Sequence, residues 1–535
     1  MPIDALSPQV SPIPVTASRA KSYERIALAI AALIYATTLT YPFNNDNALY
    51  AYMADLLLHG RLPYLGSWDQ NFPAIVGVHV VPLLVGLRSQ LAFHVWDILL
   101  QLLSSFFAFR ILLRFYNERA ALIGVVLAAL YYVQQGLWMA GERDTYVTLL
   151  LLGLLLLATR PDASRREFFL SGMLAGLIVL FRPTYGLYGV ILFGWTLLYK
   201  KGTTFSASVS RSMLVVLGSL LPVLVVVLIY GIAGGVRELW ASVIEFNFKV
   251  YSGHGEQFPL WEPIRFYLIS LLPAAIGIGV WWKRADRRAL TLWLCLFGGS
   301  VISLVVLYRH SVYHYHPAMV LFLLLSAGGW DLLIGLLSDR SGKTARSKSI
   351  IATAGATLVL LFFGFQTLRG NTLQQVLRDL AQGKIHSLKS LYAYYEGSPE
   401  FGVPIQMDVG EYLRMHTSPG EQVQMFGPYS FPQYDAKLLS ASRFQTAHAI
   451  LMRGAGDSLQ PFQREWRKEY LAAMIRNKPV YFIVCDAPEA FRQYYGGMLG
   501  HEVLAKDIIE LGSWLRERYT PETKIGAFTL YRRLY

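Results

Sequence analysis

Charge is scarce in this chain. Of its 535 residues only 16% are Asp, Glu, Lys or Arg, against about 25% in soluble domains, while aliphatic and aromatic residues make up 54%. That balance excludes an ordinary soluble globule and points to a polytopic membrane protein. Cysteine is almost missing: Cys295 lies inside an apolar run and Cys485 inside an expected strand, so no disulfide is expected and the redox compartment is not legible. The polar C-terminal part has neither a glycine-rich phosphate loop nor a nucleophile elbow, which removes the usual soluble nucleotide and acyl-transfer sites. A small-residue cleavage site is absent after the first apolar run, which is therefore expected to remain as a helix behind a Pro/Ser-rich, unfolded segment at 1–24. The net charge of +13 would suggest nucleic acid in a soluble protein; in a membrane protein the positions of the charges matter more, and no nucleic-acid partner is expected.

What the chain has is long apolar runs. A spanning helix needs about 20 apolar residues, and about eleven candidates fit: 25–43, 91–113, 119–139, 146–159, 168–181, 184–199, 211–233, 263–282, 289–308, 313–332 and 349–367. Basic clusters recur between alternate runs, at Arg19/Lys21/Arg25, Arg114/Arg119, Arg160/Arg165/Arg166, Lys200/Lys201/Arg211, Lys283 to Arg288 and Arg340 to Lys348. By the positive-inside rule these face the cytoplasm, so the N-terminus is expected inside and everything after Phe363 outside. Pro73 to Leu87 is too short to cross without inverting every later cluster and reads as an interfacial or re-entrant helix. Phe168 to Tyr199 has basic flanks at both ends and must cross twice, broken at Arg182-Pro183.

This topology gathers unusual polar residues in the outer loops. The first begins Asn45-Asp46, after which Leu49, Tyr52, Met53, Leu56 and Leu57 fall at helical spacing, as in a helix lying on the membrane surface. Asp46 suits either the N-cap of that helix or a site. Trp138 to Tyr146 packs Glu142, Arg143 and Asp144 into a tight turn, costly at membrane depth unless the charges pair or line a cavity. Tyr308 to Pro317 brings Arg309, His310, His314 and His316 to another outer boundary, with Tyr313 and Tyr315 expected as an interfacial aromatic belt. No metal is expected on these histidines, because Pro317 spoils the helical spacing of His310 and His314. Arg309 offers a planar fork suited to phosphate. The loop at 234–262 is long enough to cover a pocket mouth. Residues 370–535 are expected to form a separate α/β domain, with strands at Glu421 to Gly427, Val480 to Asp486 and Ile525 to Tyr535 and helices near 372–395, 405–416, 461–477 and 505–518.

These features together resemble the C-type superfamily of membrane glycosyltransferases, to which protein O-mannosyltransferases and aminoarabinose transferases belong. The resemblance rests on Asp46 soon after the first helix, the Gly60-Arg61-Leu62-Pro63-Tyr64 turn, Asp69 to Pro73, a second loop ending in Asp144, and Tyr313-His314-Tyr315-His316-Pro317. It covers residues 25–369 as a catalytic membrane module and, more loosely, the tail. Two departures stand out: Asn47 where Glu is frequent after the first-loop Asp, and Asn71-Phe72 where many members carry a lysine before the proline. The resemblance implies inverting transfer of a sugar from a polyprenyl-phosphate carrier to a glycan, lipid or protein acceptor on the outer face of the plasma (inner) membrane. Asp46 and Asp144 would be catalytic. Arg182, Arg309 and His310 would meet the donor phosphate, and Arg61, Tyr64, Asp69, Glu142, Arg143 and His316 the substrates. No cofactor is required, and a divalent cation is left as an option. The alternatives are a polymerase or ligase of lipid-linked glycans, disfavoured by a first-loop Asp, and a transporter or flippase, disfavoured by the lack of an inverted repeat.

Overall fold

The computed structural model describes residues 17–198, 204–253, 265–284, 287–307, 311–339, 344–369, 371–454 and 456–534. It is a mostly helical multi-pass membrane protein with a small C-terminal α/β part, and each of the apolar runs carries a helix where described. Five helices among the described residues are long and apolar enough to cross a bilayer, or six if the bent first pair counts as one.

That pair carries the first loop expected outside. Helix α1 (Ala17–Tyr35) tightens into a 3-10 turn and, after Tyr41-Pro42-Phe43, the chain turns through 86° into α2 (Asn45–Leu58). The sequence suggested a surface helix with one wet face. Instead α2 is buried on both sides, with Tyr50, Tyr52, Met53 and Leu56 inaccessible, because the C-terminal part sits on top of it; the Tyr52 hydroxyl donates to the Leu438 carbonyl at 2.7 Å. Helix α3 (Ala74–Leu84) has 11 residues, about 16 Å of rise, too little to span.

The membrane helices follow as α4 (Gln90–Phe115), α5 (Glu118–Gln134), α6 (Arg143–Ala158), α7 (Arg165–Phe181), α8 (Leu187–Leu198) and α9 (Phe205–Ile232). Helix α7 stops where Pro183 forces Arg182 into extended geometry (φ −160°, ψ 117°), and α8 starts after one 3-10 turn, giving the expected hairpin. Helix α9 shows an apolar face, with Leu217, Leu220, Leu224 and Leu228 all exposed, as lipid contact requires. The stretch expected as a loop after it is helical, as α10 (Val236–Trp240), a π-turn at Ala241–Glu245, α11 (Phe246–Lys249) and a 3-10 turn at Tyr251–Gly253; its remainder, 254–262, lies outside the described residues. Then come α12 (Leu271–Arg284), α13 (Arg287–Leu307), α14 (His316–Asp339) and α15 (Ala345–Leu368). Helices α12 and α14 meet backbone to backbone: a Cβ on Gly329 would stand 1.8 Å from the Pro273 carbonyl oxygen, so only glycine allows the approach.

The C-terminal part contains α16 (Thr372–Ala381), α17 (Leu388–Glu396), α18 (Val403–His416), α19 (Phe431–Ala436), α20 (His448–Leu451) and α21 (Pro461–Asn477). Helices α16 and α17 share a small apolar cluster with the start of α18, and the part is built around a five-stranded sheet made of β1 (Gln422–Phe426), β2 (Leu439–Ser440), β3 (Tyr481–Cys485), β4 (Tyr519–Ile525) and β5 (Phe528–Arg533) in the order β2-β1-β3-β5-β4. Strands β1, β2 and β3 are parallel, and the β4–β5 hairpin adds antiparallel strands at one edge. The hairpin half at Tyr519–Ile525 was missed in the sequence because it is a polar edge strand interrupted by Pro521, where the register slips. This part is clamped to the loop that follows α2. Gln445 exchanges two hydrogen bonds with the Trp68 backbone (2.8 and 2.6 Å), and Trp68 packs with Phe246 and Trp466.

A candidate active site at the membrane boundary

The N-terminus of α2 faces the turn that opens α6, and the two are sewn together by side chains. Asn44 caps α2 by accepting from the Asn47 backbone at 2.7 Å, and its amide donates to Glu142 Oε1 at 2.9 Å. Asn47 reaches the same turn, donating to the Ala140 carbonyl at 2.7 Å. The turn can come this close because residue 141 is glycine: its φ is +74°, and a Cβ there would meet Phe93 at 2.7 Å and Asn47 at 2.8 Å. Beneath it the buried Asp97 accepts from the Tyr132 and Tyr146 hydroxyls, and Tyr132 in turn accepts from the Gly141 N–H at 3.1 Å.

With capping done by Asn44, Asp46 is released from the cap role considered for it. It lies in the first turn of α2, half-buried, and its carboxylate has no hydrogen-bond partner among the described residues. Two guanidiniums, Arg143 and Arg182, act on it electrostatically. Burial raises its proton affinity, and those two cations offset that only in part.

Both cations are buried and held in place. Arg182 Nη2 pairs with Asp144 Oδ2 at 3.1 Å, while the other Asp144 oxygen accepts from the Tyr185 hydroxyl at 2.7 Å. Asp144 is inaccessible to solvent and ion-paired to the arginine that also faces Asp46, although its Oδ2 has no hydrogen-bond partner among the described residues. Arg143 Nη1 donates to Asn71 Oδ1. Arg182 Nη1 and Arg143 Nε are buried and have no hydrogen-bond partner among the described residues. Unused donors on buried cations are costly unless an anion takes them, so the geometry fits a phosphate.

A second carboxylate borders the same space. Asp69 is buried, with Oδ1 accepting from the Gln70 N–H at 2.7 Å and the Asn71 amide at 3.3 Å, and Oδ2 unpartnered among the described residues. Burial, with the nearby Asp46 charge adding to it, pushes its carboxyl up to about 7 against the pull of Arg143. Glu142 is likewise raised, by burial first and the Asp46 charge second. Asn71 links the two sides, donating to the Tyr50 hydroxyl at 2.9 Å while accepting from Arg143.

The remaining expected residues are placed as follows. Tyr64 is buried with φ +67°, donates to the Asn71 carbonyl at 2.5 Å and so shapes the loop behind Asp69. Arg61 points away from the carboxylates, to the Ser440 carbonyl at 2.7 Å. His316 is buried below Asp144, with Nδ1 2.7 Å from Thr148 Oγ1 and its ring stacked on Tyr131. Arg309 and His310 lie outside the described residues. Tyr313, expected in an interfacial belt, is instead buried and within electrostatic range of Asp46, Glu142 and Arg143. Among the described residues no group of three or more His, Cys, Asp or Glu side chains is arranged to hold a metal ion, so the optional divalent cation finds no ready donor set there. Tyr50, Asp97 and Tyr185 escaped the sequence reading, and Asn71 figured there only as a departure from the family pattern. Only Asp97, a carboxylate inside the apolar α4, carried a signal that could have found it.

The chain is a multi-pass membrane protein whose fold is shared with solved structures of membrane transferases. ArnT from Cupriavidus metallidurans, in the apo state, superposes with a TM-score of 0.57 at 13% identity, over 96% of this chain and 98% of that one. The Archaeoglobus fulgidus oligosaccharyltransferase tethered to an acceptor peptide matches at TM-score 0.51 and 13% identity, over 96% and 74%. The Archaeoglobus fulgidus AglB complex with an inhibitory peptide and a dolichol-phosphate matches at 0.51 and 12%, over 96% and 74%. No protein-family model and no curated protein sequence matches the chain.

Proposed function

We propose that this protein is an inverting glycosyltransferase that moves a sugar from a polyprenyl-phosphate carrier to an acceptor at the outer face of the membrane. The observation that carries the reading is an unpartnered carboxylate, Asp46, beside two buried arginines with unused donors, at the end of the membrane helices. The solved structures of like fold, an oligosaccharyltransferase and an AglB holding dolichol-phosphate among them, support the lipid-linked donor. In this reading Asp46 takes the proton of the acceptor hydroxyl or amine as that atom attacks the anomeric carbon. The bond from that carbon to the phosphate oxygen breaks, its electron pair leaves with the polyprenyl phosphate, and Arg182 and Arg143 stabilise the added negative charge. Asp144 and Tyr185 orient Arg182, and Asn71 and Tyr50 orient Arg143. Residues 25–369 form the catalytic module, and the part at 370–535, fixed to the first loop, covers the site from the outside.

The direct test is chemical. Cells lacking the protein are expected to accumulate a polyprenyl-phosphate sugar, detectable by mass spectrometry of the lipid fraction, and a plasmid copy should clear it. An unchanged pool of lipid-linked sugars would remove the proposal.

Asp69 supplies a pH dependence. Its carboxyl loses its proton near pH 7, and the charge so formed raises the basicity of Asp46. Transfer is therefore expected to rise with pH through the neutral range. Asp69→Asn removes the repulsion, so the acid limb should move to lower pH while a lower plateau remains. A rate–pH curve that does not move on this substitution would separate Asp69 from the proton-accepting group.

A further inference from the structure

A cavity of about 440 Å³ opens between α4 and α6 at the end of the helices away from the site just described, lined by Phe106, Arg110, Arg114, Leu156, Leu157 and Arg160. Its position follows from the helix directions: Gln101 of α4 lies against Thr145 at the start of α6, so both helices leave the acidic site side by side and end together. From Asp144 to Leu156 the rise is about 18 Å.

Three guanidiniums meet there and two are neutralised. Arg110 pairs with Glu24 at 3.0 Å and Arg160 with Glu167. Arg114 has no ion-pair partner among the described residues; one nitrogen donates to Thr159 Oγ1 at 3.0 Å and contacts the Leu156 carbonyl at 3.4 Å, which leaves its other donors for an outside group. The cavity thus keeps one positive charge in excess, with an apolar wall beneath it. Above Arg110 the same face of α4 continues as Phe106, Leu103 and Leu99, at helical spacing, and Leu103 and Leu99 are 42% and 54% exposed. A charged pocket at the end of an apolar track is what a phosphate headgroup with an acyl chain fills, whereas free phosphate has no use for the track.

We propose that this cavity binds one anionic phospholipid of the bilayer, its phosphate on Arg114 and an acyl chain along Phe106, Leu103 and Leu99. The test is native mass spectrometry of the full chain released from nanodiscs of phosphatidylcholine with an equal share of phosphatidylglycerol. The wild type is expected to retain one phosphatidylglycerol about tenfold in preference to phosphatidylcholine, and Arg114→Gln to retain the two alike. Arg378→Gln, an exposed arginine of the C-terminal part, should keep the wild-type preference. Excess inorganic phosphate should leave the lipid in place. Displacement by phosphate would assign the site to a free anion and overturn the lipid. No preference in the wild type would overturn the proposal whether or not Arg114→Gln folds, and so would a preference undiminished in a folded Arg114→Gln.

Discussion

Asp46→Asn is expected to slow sugar transfer by about a thousandfold or more while leaving the fold and donor binding intact. The isosteric amide cannot take the acceptor proton, and removal of a positioned general base typically costs ~10²–10⁴ in rate, with the upper part of that range expected for a hydroxyl acceptor. The fold should tolerate the change because the α2 cap is Asn44, whose bonds to Asn47 and Glu142 do not involve residue 46. What is lost structurally is an acidic group in the first helical turn, worth about 0.3–1 kcal/mol. Unchanged melting with lost turnover, measured in detergent with a purified lipid-linked donor, is the expected pair of results. If Asp46 served the helix alone, the two readouts would exchange: activity would persist and melting would fall.

The parts of this site that were legible in the sequence are those that break a local rule. A charge next to an apolar run, as at Asp46, or three charges in a short turn between apolar helices, as at Glu142 to Asp144, contradicts the solvent around it and so announces itself. Arg182 was visible for the same reason, with Pro183 marking the bend that aims it. The partners of these charges were not visible, because pairing across 38 residues of chain, as between Asp144 and Arg182, leaves no trace in spacing. Neutral residues were hidden more thoroughly. Asn71 holds Arg143, and Tyr50 and Tyr313 border the carboxylates, yet an amide or a phenol in an outer loop breaks no rule. In the fold, helices were legible because apolar runs declare themselves, but the burial of α2 was not. Its amphipathic spacing describes one membrane-side face, and the second face is covered by residues near Leu438, far along the chain.

The Asp144–Arg182 pair leads to the second large effect, and to a contrast that separates structure from chemistry. Both side chains are almost wholly out of water, at 0% and 6% exposure. Arg182→Gln leaves the Asp144 carboxylate with the Tyr185 hydroxyl but no ion-pair partner, and Asp144→Asn leaves the Arg182 guanidinium without its ion-pair partner. Each single change should cost about 3–5 kcal/mol, because an uncompensated buried charge is worse than none. The double variant Asp144→Asn with Arg182→Gln buries two neutral amides instead, and should melt well above either single variant. Its transfer rate is expected to stay at least about a hundredfold below wild type, because of the two guanidiniums beside Asp46 only Arg143 remains to take the departing phosphate. A double variant that regains both stability and turnover would make the pair a structural brace only. One that regains stability without turnover ties the arginine to the phosphate and leaves Asp144 as the residue that positions it.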